Sequence, residues 1–321
     1  MSDAGQRVIV TGAGLAGLTA ARILADAGLD VSVIEKSRGL GGRLATRRLH
    51  SGVSFDHGAQ YVRARDSHFE QFLERAVVFG GAAPWEPVGL SKGPTAIVGS
   101  PGMSALVAPL ACDIPIENRC LVTKVRASAA GAEVVTEDGR TIACRFAVLA
   151  VPAPQASQIV ESLEIKDRLE SVVMTPCWAM LAGSQERWRG GNEVWANPCP
   201  EIAWIARDNS KPDRKTTGTS WIVHAAPSWS RRHLDREPED IVDLLMDRFC
   251  RIVGIPSHVF TYAVAHRWRF AQVETPLGQS FVTNDARSVY CGGDWCLGPR
   301  AENAFLSGRA IALDVLSEIR K

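Results

Sequence analysis

The sequence predicts an α/β protein in which a Rossmann-like dinucleotide-binding domain is interrupted by an α+β domain built on an antiparallel sheet. Residues 7–35 have the pattern of a strand, a glycine-rich turn, a helix and a second strand. Strand-like segments that would extend this domain recur within 121–151 and 289–294. The intervening residues 155–275 carry most of the tryptophans. Alternating side chains in this region, as at 262–268, are typical of antiparallel strands.

The chain opens with a buried strand and a phosphate-binding turn. The apolar run 8–10 suits a strand that is covered on both faces. Gly12, Gly14 and Gly17 follow in GxGxxG spacing. The first permits the sharp turn, the second lets the backbone approach a pyrophosphate, and the third lets the helix pack closely on the sheet. The phosphate then lies at the helix N-terminus, where free N–H groups favour an anion.

A helix and a second strand complete this unit. We expect Gly28 to cap the helix and residues 31–34 to form the strand. Glu35 follows Gly14 by 21 residues, where a carboxylate accepts hydrogen bonds from both ribose hydroxyls of an adenosine. A fortuitous glycine turn is the alternative, but strand, turn, helix, strand and acid in register argue against it.

Later segments return to the same domain. We predict a meander at 121–125, 133–136 and 141–145 with a hairpin turn at Asp138 and Gly139, a buried strand at 146–151, a strand at 289–294 and a helix at about 303–319.

The inserted domain carries the remaining predicted elements. They are strands at 201–206, 220–225 and 262–268 and a helix at 238–252. The predicted boundaries are 1–75, 100–154 and 276–321 for the dinucleotide-binding domain, and 76–99 and 155–275 for the substrate domain.

Composition indicates small-molecule partners. The chain has 36 basic and 35 acidic residues, a balance that implies neither a nucleic-acid partner nor a membrane surface. Residues 1–7 lack a signal-peptide pattern, and no apolar run approaches the roughly 18 residues of a membrane span. Eight cysteines are scattered without a CxxC pair, so we expect a cytoplasmic location and no metal site. The oligomeric state is left open.

A glycine–arginine tail after Glu35 indicates which cofactor binds. The tail reads SRGLGGR at 37–43, and GGD occurs at 292–294. Both features resemble the FAD flavoproteins that have a glutathione-reductase-type dinucleotide-binding domain. In that class the GGR segment approaches the pyrophosphate and ribitol, a role that would fall on Gly41, Gly42 and Arg43. A guanidinium suits this role because it binds phosphate oxygens in pairs. A solvated basic loop is the alternative.

Within that class the chain resembles the renalase family, especially its bacterial members, over nearly its whole length. The resemblance rests on KSRGLGGRLATRR (36–48), DHGAQYVRARDSHF (56–69), GSPGMSALVAPLA (99–111), AVPAPQA (150–156), NPCPEIAWIARDNSKP (197–212), HRWRFAQV (266–273) and GGDWCLGPRAENAFLSG (292–308). The first and last motifs are shared with monoamine oxidases and related desaturases. The segments DHGAQY, IARDNSK and HRWRFAQ are far more specific.

The resemblance implies an FAD-dependent oxidase of dihydronicotinamides whose extra hydrogen sits at ring position 2 or 6. Hydride would pass to flavin N5, which would restore NAD(P)⁺, and O₂ would be reduced to hydrogen peroxide. The protein would mainly stack the ring on the flavin and fix the transfer distance. The preferred isomer, and the choice between NAD and NADP forms, are left open.

The predicted FAD-binding residues come from the glycine turn, the tail, DHGAQY and the C-terminal motif. They are Gly12, Gly14, Leu15, Ala16, Gly17, Glu35, Lys36, Arg38, Gly41, Gly42, Arg43, Gly58, Ala59, Gln60, Tyr61, Val122, Gly293, Asp294, Glu302, Asn303 and Ala304. The resemblance implies that Gln60 binds the flavin edge, that Asp294 binds a ribitol hydroxyl, and that the helix near Asn303 directs its positive end at flavin N1. We expect noncovalent FAD, because RAENA stands where monoamine oxidases carry the flavin-linking cysteine.

A second set of residues is predicted to contact the substrate. It comprises Tyr61, His224, His266, Trp268 and Trp295, with Arg269 as a further wall of the site. Packing is the alternative for the tyrosine and the tryptophans, and a hydrogen-bonded strand residue, not a base, is the alternative for each histidine. Arg63 and Arg65 would attract substrate phosphates unless they are ordinary exposed charges.

Two other functions stay open at this point. An FAD-dependent amine oxidase is the enzymatic alternative, although 321 residues leave little room for the long insertions of those enzymes. A non-catalytic flavin-binding interaction module is the alternative of another class. The sequence offers no interaction tail, repeat or polybasic run in its support.

Overall fold

The computed structural model describes residues 7–49, 52–188, 190–216 and 218–321. Residues 1–6, which the signal-peptide prediction concerned, therefore lie outside the described residues. The chain forms two compact units. The first comprises Met1–Gly42, Val107–Met174 and Val273–Lys321, and the second comprises Arg43–Leu106 and Thr175–Gln272.

The helices and strands are numbered here in chain order. The helices are α1 (Leu15–Asp26), α2 (Ser67–Val78), α3 (Ala153–Ile159), α4 (Leu163–Leu169), α5 (Pro227–Arg232), α6 (Pro238–Val253) and α7 (Ala301–Ile319). The strands are β1 (Arg7–Thr11), β2 (Asp30–Glu35), β3 (Arg47–Arg48), β4 (Ser54–Phe55), β5 (Ala82–Trp85), β6 (Ala96–Gly99), β7 (Ile116–Asn118), β8 (Val122–Ser128), β9 (Gly131–Thr136), β10 (Thr141–Cys144), β11 (Phe146–Leu149), β12 (Val173–Ser184), β13 (Val194–Ala196), β14 (Ile202–Arg207), β15 (Thr219–Ala225), β16 (Phe260–Thr275), β17 (Val282–Thr283) and β18 (Val289–Cys291).

The first unit is built on a mainly parallel sheet in the order β17-β18-β11-β1-β2-β7. Strand β1 pairs in parallel with β2 and β11, while β17 is an antiparallel edge strand. The meander β8-β9-β10 shares a hydrophobic core with this sheet, to which Ile9, Leu149 and Val125 contribute. This arrangement confirms the predicted Rossmann-like domain, its opening strand–helix–strand unit and its meander.

The second unit is built on a sheet in the order β13-β14-β15-β12-β16. The pairs β13–β14, β14–β15 and β15–β12 are antiparallel, as the predicted alternation requires. Helix α6 covers one face, where Leu245 and Phe249 pack with Trp178 and Trp221. On the opposite face Phe55 packs with smaller apolar side chains of β12 and β15.

The two units divide the chain at positions different from the predicted boundaries. Residues 43–75 and 100–106 belong to the second unit, and residues 155–174 belong to the first. The reason is packing: α3 and α4 contribute Ala156 and Ile165 to the core of the parallel sheet. The motifs at 36–48, 99–111 and 266–273 continue across three of the four division points, so they carry no sign of the change.

A bilayer-crossing helix is absent from the described residues. All eight cysteines lie within those residues and are free thiols.

We expect that Gly308→Ala lowers the free energy of unfolding by about 1–3 kcal/mol through overpacking. An added Cβ at Gly308, inside α7, would overlap the carbonyl oxygen of Ala16 in α1. The loss should occur although alanine is the better helix former. Urea denaturation measures the effect. The control is Gly39→Ala, whose Cβ would meet no described atom within 4 Å. Equal stability of both variants would show that α1 and α7 do not need the glycine.

Candidate active site

The glycine turn after β1 has the geometry of a dinucleotide-binding loop. Gly12 adopts a φ of +104°, and an added Cβ there would lie 2.7 Å from the Ala150 carbonyl oxygen. A Cβ at Gly17 would overlap the Gly12 carbonyl oxygen. The turn is therefore as sharp, and the helix as close, as only glycines allow.

Gly14 and the glycine tail form an open backbone cradle at the N-terminus of α1. An added Cβ at Gly14 would meet no described atom within 4 Å. The tail folds back beside this position, because Gly41 N–H donates to the Ala13 carbonyl at 2.9 Å and Gly14 forms a bridge with Gly41. Gly41 and Gly42 both have positive φ, at 107° and 55°. The open space at Gly14 is therefore bordered by backbone and by the helix N-terminus, a combination that binds phosphate.

Glu35 is held in one orientation at the end of β2. Its side chain is 7% exposed and accepts hydrogen bonds from Ala13 N–H at 2.8 Å and Ser37 N–H at 2.7 Å. Each carboxylate oxygen has a further lone pair for a ribose hydroxyl. Lys36 and Arg38, which follow it, are exposed.

The C-terminal motif is also tightly organised. Gly293 N–H donates to Ser307 Oγ at 2.9 Å, and Asn303 Nδ2 donates to the Gly298 carbonyl at 3.0 Å. Asp294 and Glu302 are buried. Helix α7 begins at Ala301, two residues before the predicted start.

These features fit a dinucleotide cofactor. Glycines shape the turn, the space next to Gly14 is open, and the buried Glu35 carboxylate stands at the end of the neighbouring strand. The chain would hold the pyrophosphate with backbone N–H groups of the glycine turn and the adenosine ribose with Glu35.

In the second unit, a turn at 56–61 packs against the end of the glycine–arginine tail. Ala59 N–H donates to the Arg43 carbonyl at 2.8 Å, and an added Cβ at Gly58 would overlap that same oxygen. The Arg43 guanidinium donates to the Ala271 carbonyl at 3.1 Å. The turn therefore needs glycine at position 58 for packing, independently of any ligand.

A cluster of four buried charges lies behind this turn. Lys211 Nζ is 2.6 Å from Asp208 Oδ1 and 3.1 Å from Asp56 Oδ2, and Arg214 Nη2 is 2.6 Å from Asp56 Oδ2. Burial by itself raises the pKa of Asp56, but Lys211 and Arg214 outweigh it and lower the pKa to about 2. Burial raises the pKa of Asp208, and the contact with Lys211 opposes that rise. The two acids and the two cations therefore compensate one another in the interior, where an unpaired charge would be costly. We call these four residues the ionic cluster.

The Gln60 amide group is bound within the second unit, and flavin-edge binding by this residue stays a prediction. Its Nε2 donates to the carbonyls of Asp56 and, at 3.0 Å, Gly58, while its Oε1 accepts from Lys211 Nζ at 3.3 Å. These three partners fix the amide orientation and use its hydrogen-bonding groups inside the unit. Gln60 therefore ties the 56–61 turn to the ionic cluster.

A bulge in β14 places Trp204 on the sheet face opposite α6. The pairing register shifts between Ile202 and Trp204, so Ile202 pairs with Ala225 and Trp204 pairs with His224. Residues two apart on a regular strand share a face, but the extra residue moves them to opposite faces. Ile202 therefore packs in the core with α6, and Trp204 joins His224 on the other face.

Imidazole and indole rings gather where the turn meets this face. His57 stacks on Trp268 with ring centroids 5.1 Å apart, and His266 lies edge-on to both rings, 4.8 Å from His57. The His57 carbonyl is 3.0 Å from Trp268 Nε1 and 3.2 Å from His224 Nε2. The structure thus brings together three of the predicted substrate residues, His224, His266 and Trp268, around the unpredicted His57.

The histidines of this group are uncharged at neutral pH. Burial lowers the pKa of His57 and of His224 to about 4. It also lowers the pKa of His266, and the Arg47 guanidinium contributes to the lowering at His57 and His266. Neutral rings are poor proton donors but suitable hydrogen-bonding and stacking surfaces.

Tyr61 extends the ring surface along the sheet. Its ring lies 5.7 Å from that of Trp204 and 6.3 Å from that of Trp85. Arg63 lies over the Tyr61 ring and donates to the Ser91 carbonyl at 2.8 Å. Arg63 therefore supports a neighbouring loop. We call Trp204, His224, His57, Trp268 and Tyr61 the aromatic face.

Three other predicted residues lie elsewhere. Trp295 is fully buried in the core of the first unit and donates its indole N–H to the Val151 carbonyl at 3.0 Å, so packing and not substrate contact explains it. Val122 is buried in that same core. Arg269 is exposed and 3.6 Å from Asp235, which makes it a surface ion pair.

Comparison with known proteins now gives the family. A model of the flavin-containing amine oxidoreductases matches residues 89–316, and a model of the NAD(P)-binding Rossmann-like domain matches residues 10–76. The chain belongs to the flavin-containing amine oxidoreductase family. Its cofactor is FAD, which the glycine turn, Glu35 and the glycine–arginine tail accommodate.

Two curated relatives match about a fifth of the chain. A carotenoid 3,4-desaturase of Haloarcula japonica is 49% identical over 74 residues, which are 23% of this chain and 14% of the relative. An L-amino-acid oxidase of Siganus canaliculatus is 41% identical over 68 residues, which are 21% of this chain and 13% of the relative. The matches therefore span a small part of each relative's length.

Solved structures share the fold of this chain at low identity. A putative protoporphyrinogen oxidase from Exiguobacterium sp. 255-15 has a TM-score of 0.81 at 12% identity, over 99% of this chain and 100% of that one. Cyclohexylamine oxidase from Brevibacterium oxydans IH-35A has a TM-score of 0.75 at 13% identity, over 98% and 99%. These structures confirm a Rossmann-like FAD-binding domain with a substrate domain.

Sequence reasoning missed several residues that organise the site. They are Asp56, His57, Trp204, Asp208, Lys211 and Arg214. The available signal was that Asp56 and His57 lie in the specific motif DHGAQY and that Asp208 and Lys211 lie in IARDNSK, since charged residues in otherwise strand-like segments demand partners. Trp204 and Arg214 lie outside these two motifs.

We expect Gly14→Val to remove FAD binding without unfolding the protein. The valine side chain would fill the open space beside Gly14, where a Cβ meets no described atom within 4 Å. The flavin-free protein should keep its stability to within about 1 kcal/mol, while FAD affinity falls roughly 100-fold or more as phosphate hydrogen bonds are lost. Flavin content and fluorescence titration measure this. Gly191→Val, also in open space, is the control that should retain FAD.

We expect Lys211→Met to lower the free energy of unfolding by about 3–5 kcal/mol, because Asp56 and Asp208 would lose a buried cation. Chemical denaturation of the holoprotein measures it. The control is Lys124→Met, which removes an exposed pair with Glu161 at 2.8 Å and should cost less than about 1 kcal/mol. Similar losses for both variants would contradict the role of the ionic cluster.

Proposed function

We propose that the protein is an FAD-dependent oxidase that converts the 2- or 6-dihydro isomers of NAD(P) to NAD(P)⁺. The observation that carries this proposal is the aromatic face, which joins indole, phenol and uncharged imidazole rings on one side of a sheet. Such a surface suits a planar, uncharged ring more than a charged group.

The uncharged histidines agree with hydride abstraction. A dihydronicotinamide becomes aromatic when it loses hydride, so no side chain needs to remove a proton from it. His57 and His224 have pKa values of about 4, which makes them suitable for holding a ring and unsuitable as proton donors at neutral pH. When bound, FAD supplies the hydride acceptor, and O₂ with one proton from solvent takes the two electrons to yield hydrogen peroxide.

Charge near the aromatic face also favours a dinucleotide. Arg47 is close enough to lower the pKa of both His57 and His266. The nearby acids Asp56 and Asp208 are already paired with cations of the ionic cluster. A positive local potential attracts the phosphates of a dinucleotide and repels an ammonium ion.

Amine oxidation is the second candidate, and the family supports it. The solved structures with this fold include a cyclohexylamine oxidase and a putrescine oxidase variant. Those activities belong to those two proteins. The cytoplasmic location, the noncovalent attachment of FAD and the use of O₂ stay predictions with the main proposal.

We expect rapid bleaching of the flavin when the holoprotein is mixed anaerobically with 6-dihydroNAD or 2-dihydroNAD. Stopped-flow absorbance measures the rate. Ordinary NADH and a panel of primary and secondary amines should bleach it far more slowly. Admission of air should then return the oxidised spectrum with about one hydrogen peroxide for each dihydronicotinamide consumed.

The same experiment separates the candidates. Fast bleaching by an amine alone would move the function to amine oxidation. No bleaching by any compound would support the non-catalytic flavin-binding module. The Gly14→Val protein, expected to lack FAD, provides the blank for direct reaction of the isomers with oxygen.

A further inference from the structure

The His57 carbonyl determines which nitrogen of His224 carries the proton. This oxygen lies 3.2 Å from His224 Nε2 and also accepts from Trp268 Nε1–H at 3.0 Å. A carbonyl oxygen only accepts hydrogen bonds, so the His224 Nε2 atom must be the donor. The neutral His224 ring therefore has an unprotonated Nδ1 with a free lone pair.

The position of this carbonyl is itself enforced by buried charge. The backbone N–H of Asp56 donates to Asp208 Oδ2 at 3.2 Å, and Gln60 is held by Lys211. His57 stands between these two anchored residues, and its ring is stacked on Trp268. The tautomer of His224 is therefore set by a rigid turn and not by a mobile neighbour.

His224 stays neutral over the physiological pH range. Burial lowers its pKa to about 4, and the Lys211 charge acts in the same direction. Within the part of the chain that the structure describes, no hydrogen-bond partner is found for its Nδ1 atom. The Nδ1 atom of His224 can therefore accept a hydrogen bond from a ligand.

Trp204 provides a complementary donor directly across the strand pair. It is the register partner of His224, and Cβ atoms of such pairs lie about 4.5–5.5 Å apart on one sheet face. Its indole N–H is buried, and no described residue accepts its hydrogen bond. An unsatisfied buried donor is unfavourable, so a ligand acceptor there would stabilise the complex.

We infer that His224 and Trp204 together bind the carboxamide of the nicotinamide ring. The amide NH₂ donates to His224 Nδ1, and the amide oxygen accepts from Trp204 Nε1–H. The Trp204 indole nitrogen is buried, so a ring must rotate before the amide oxygen can reach it. That ring is either the indole itself or Tyr61, whose ring centroid lies 5.7 Å from that of Trp204. This inference rests on the proposed function and names the group of the substrate that is recognised.

Other ligand groups match the pair less well. A carboxylate would face the Nδ1 lone pair with a negative oxygen. An ammonium group would donate to Nδ1 but would offer nothing to the indole N–H. A primary amide alone among these supplies one donor and one acceptor side by side.

The test compares two stable dinucleotides bound to the holoprotein. NAD⁺ carries the carboxamide, whereas its 3-acetylpyridine analogue keeps the carbonyl oxygen but has a methyl group in place of NH₂. Perturbation of the flavin spectrum gives both dissociation constants without turnover. We expect the wild type to bind NAD⁺ roughly 3- to 10-fold more tightly than the 3-acetylpyridine analogue, because one hydrogen bond contributes about that factor.

The variants separate the two contacts. His224→Phe should bring the ratio of the two constants to about 1, because the acceptor is lost. Trp204→Phe should weaken both dinucleotides by a similar factor and leave the ratio unchanged, since both retain the oxygen. His224→Gln, whose amide can donate to the His57 carbonyl and still present an oxygen, should restore part of the ratio. Trp195→Phe, on the α6 side of the sheet, is the control that should change neither constant.

The outcomes distinguish this inference from the proposed function. A ratio that His224→Phe leaves unchanged, with NAD⁺ still bound and the dihydro isomers still bleaching the flavin, overturns the inference alone. Failure of NAD⁺ to bind, together with no bleaching by either isomer, overturns both.

Discussion

Lys211 forms ion pairs with two buried carboxylates, and the turn at 56–61 depends on these two contacts. Its ammonium group reaches Asp56, Asp208 and the amide oxygen of Gln60. Removing charge from water is costly, so each partner must keep its place for the others to be stable. The turn is therefore rigid, and it carries the His57 carbonyl and the Tyr61 ring to defined positions on the aromatic face.

The ionic cluster also explains why the aromatic face itself carries little charge. Asp56 and Asp208 form ion pairs with Arg214 and Lys211, and burial keeps His57 and His224 neutral. A surface of this kind binds through stacking and hydrogen bonds. Recognition of a neutral ring and its substituents then follows from which nitrogen atoms carry protons, and a backbone carbonyl decides this for His224.

Local patterns predicted the cofactor half of the protein well. The cofactor-binding segment is continuous in sequence and comprises the glycine turn, α1, β2 and Glu35. The role of each residue in it depends on residues nearby in the sequence. The meander and α7 were also predicted to within a few residues. The contact of Gln60 with Lys211 was not predicted, because the two residues are 151 positions apart and no local pattern reveals such a pair.

The sequence alone determined the Rossmann-like fold and a dinucleotide cofactor, because glycine spacing and an acid at a fixed distance act within one strand–helix–strand unit. The resemblance of the glycine–arginine tail and of GGD to FAD flavoproteins identified that cofactor as FAD. Only the tertiary structure decided which side chains form the aromatic face. The bulge that turns Trp204 away from Ile202, the burial of Trp295 and the tautomer of His224 all arise from contacts between distant segments. Such contacts depend on strand register and on packing between residues that are far apart in the sequence, so no local pattern reveals them.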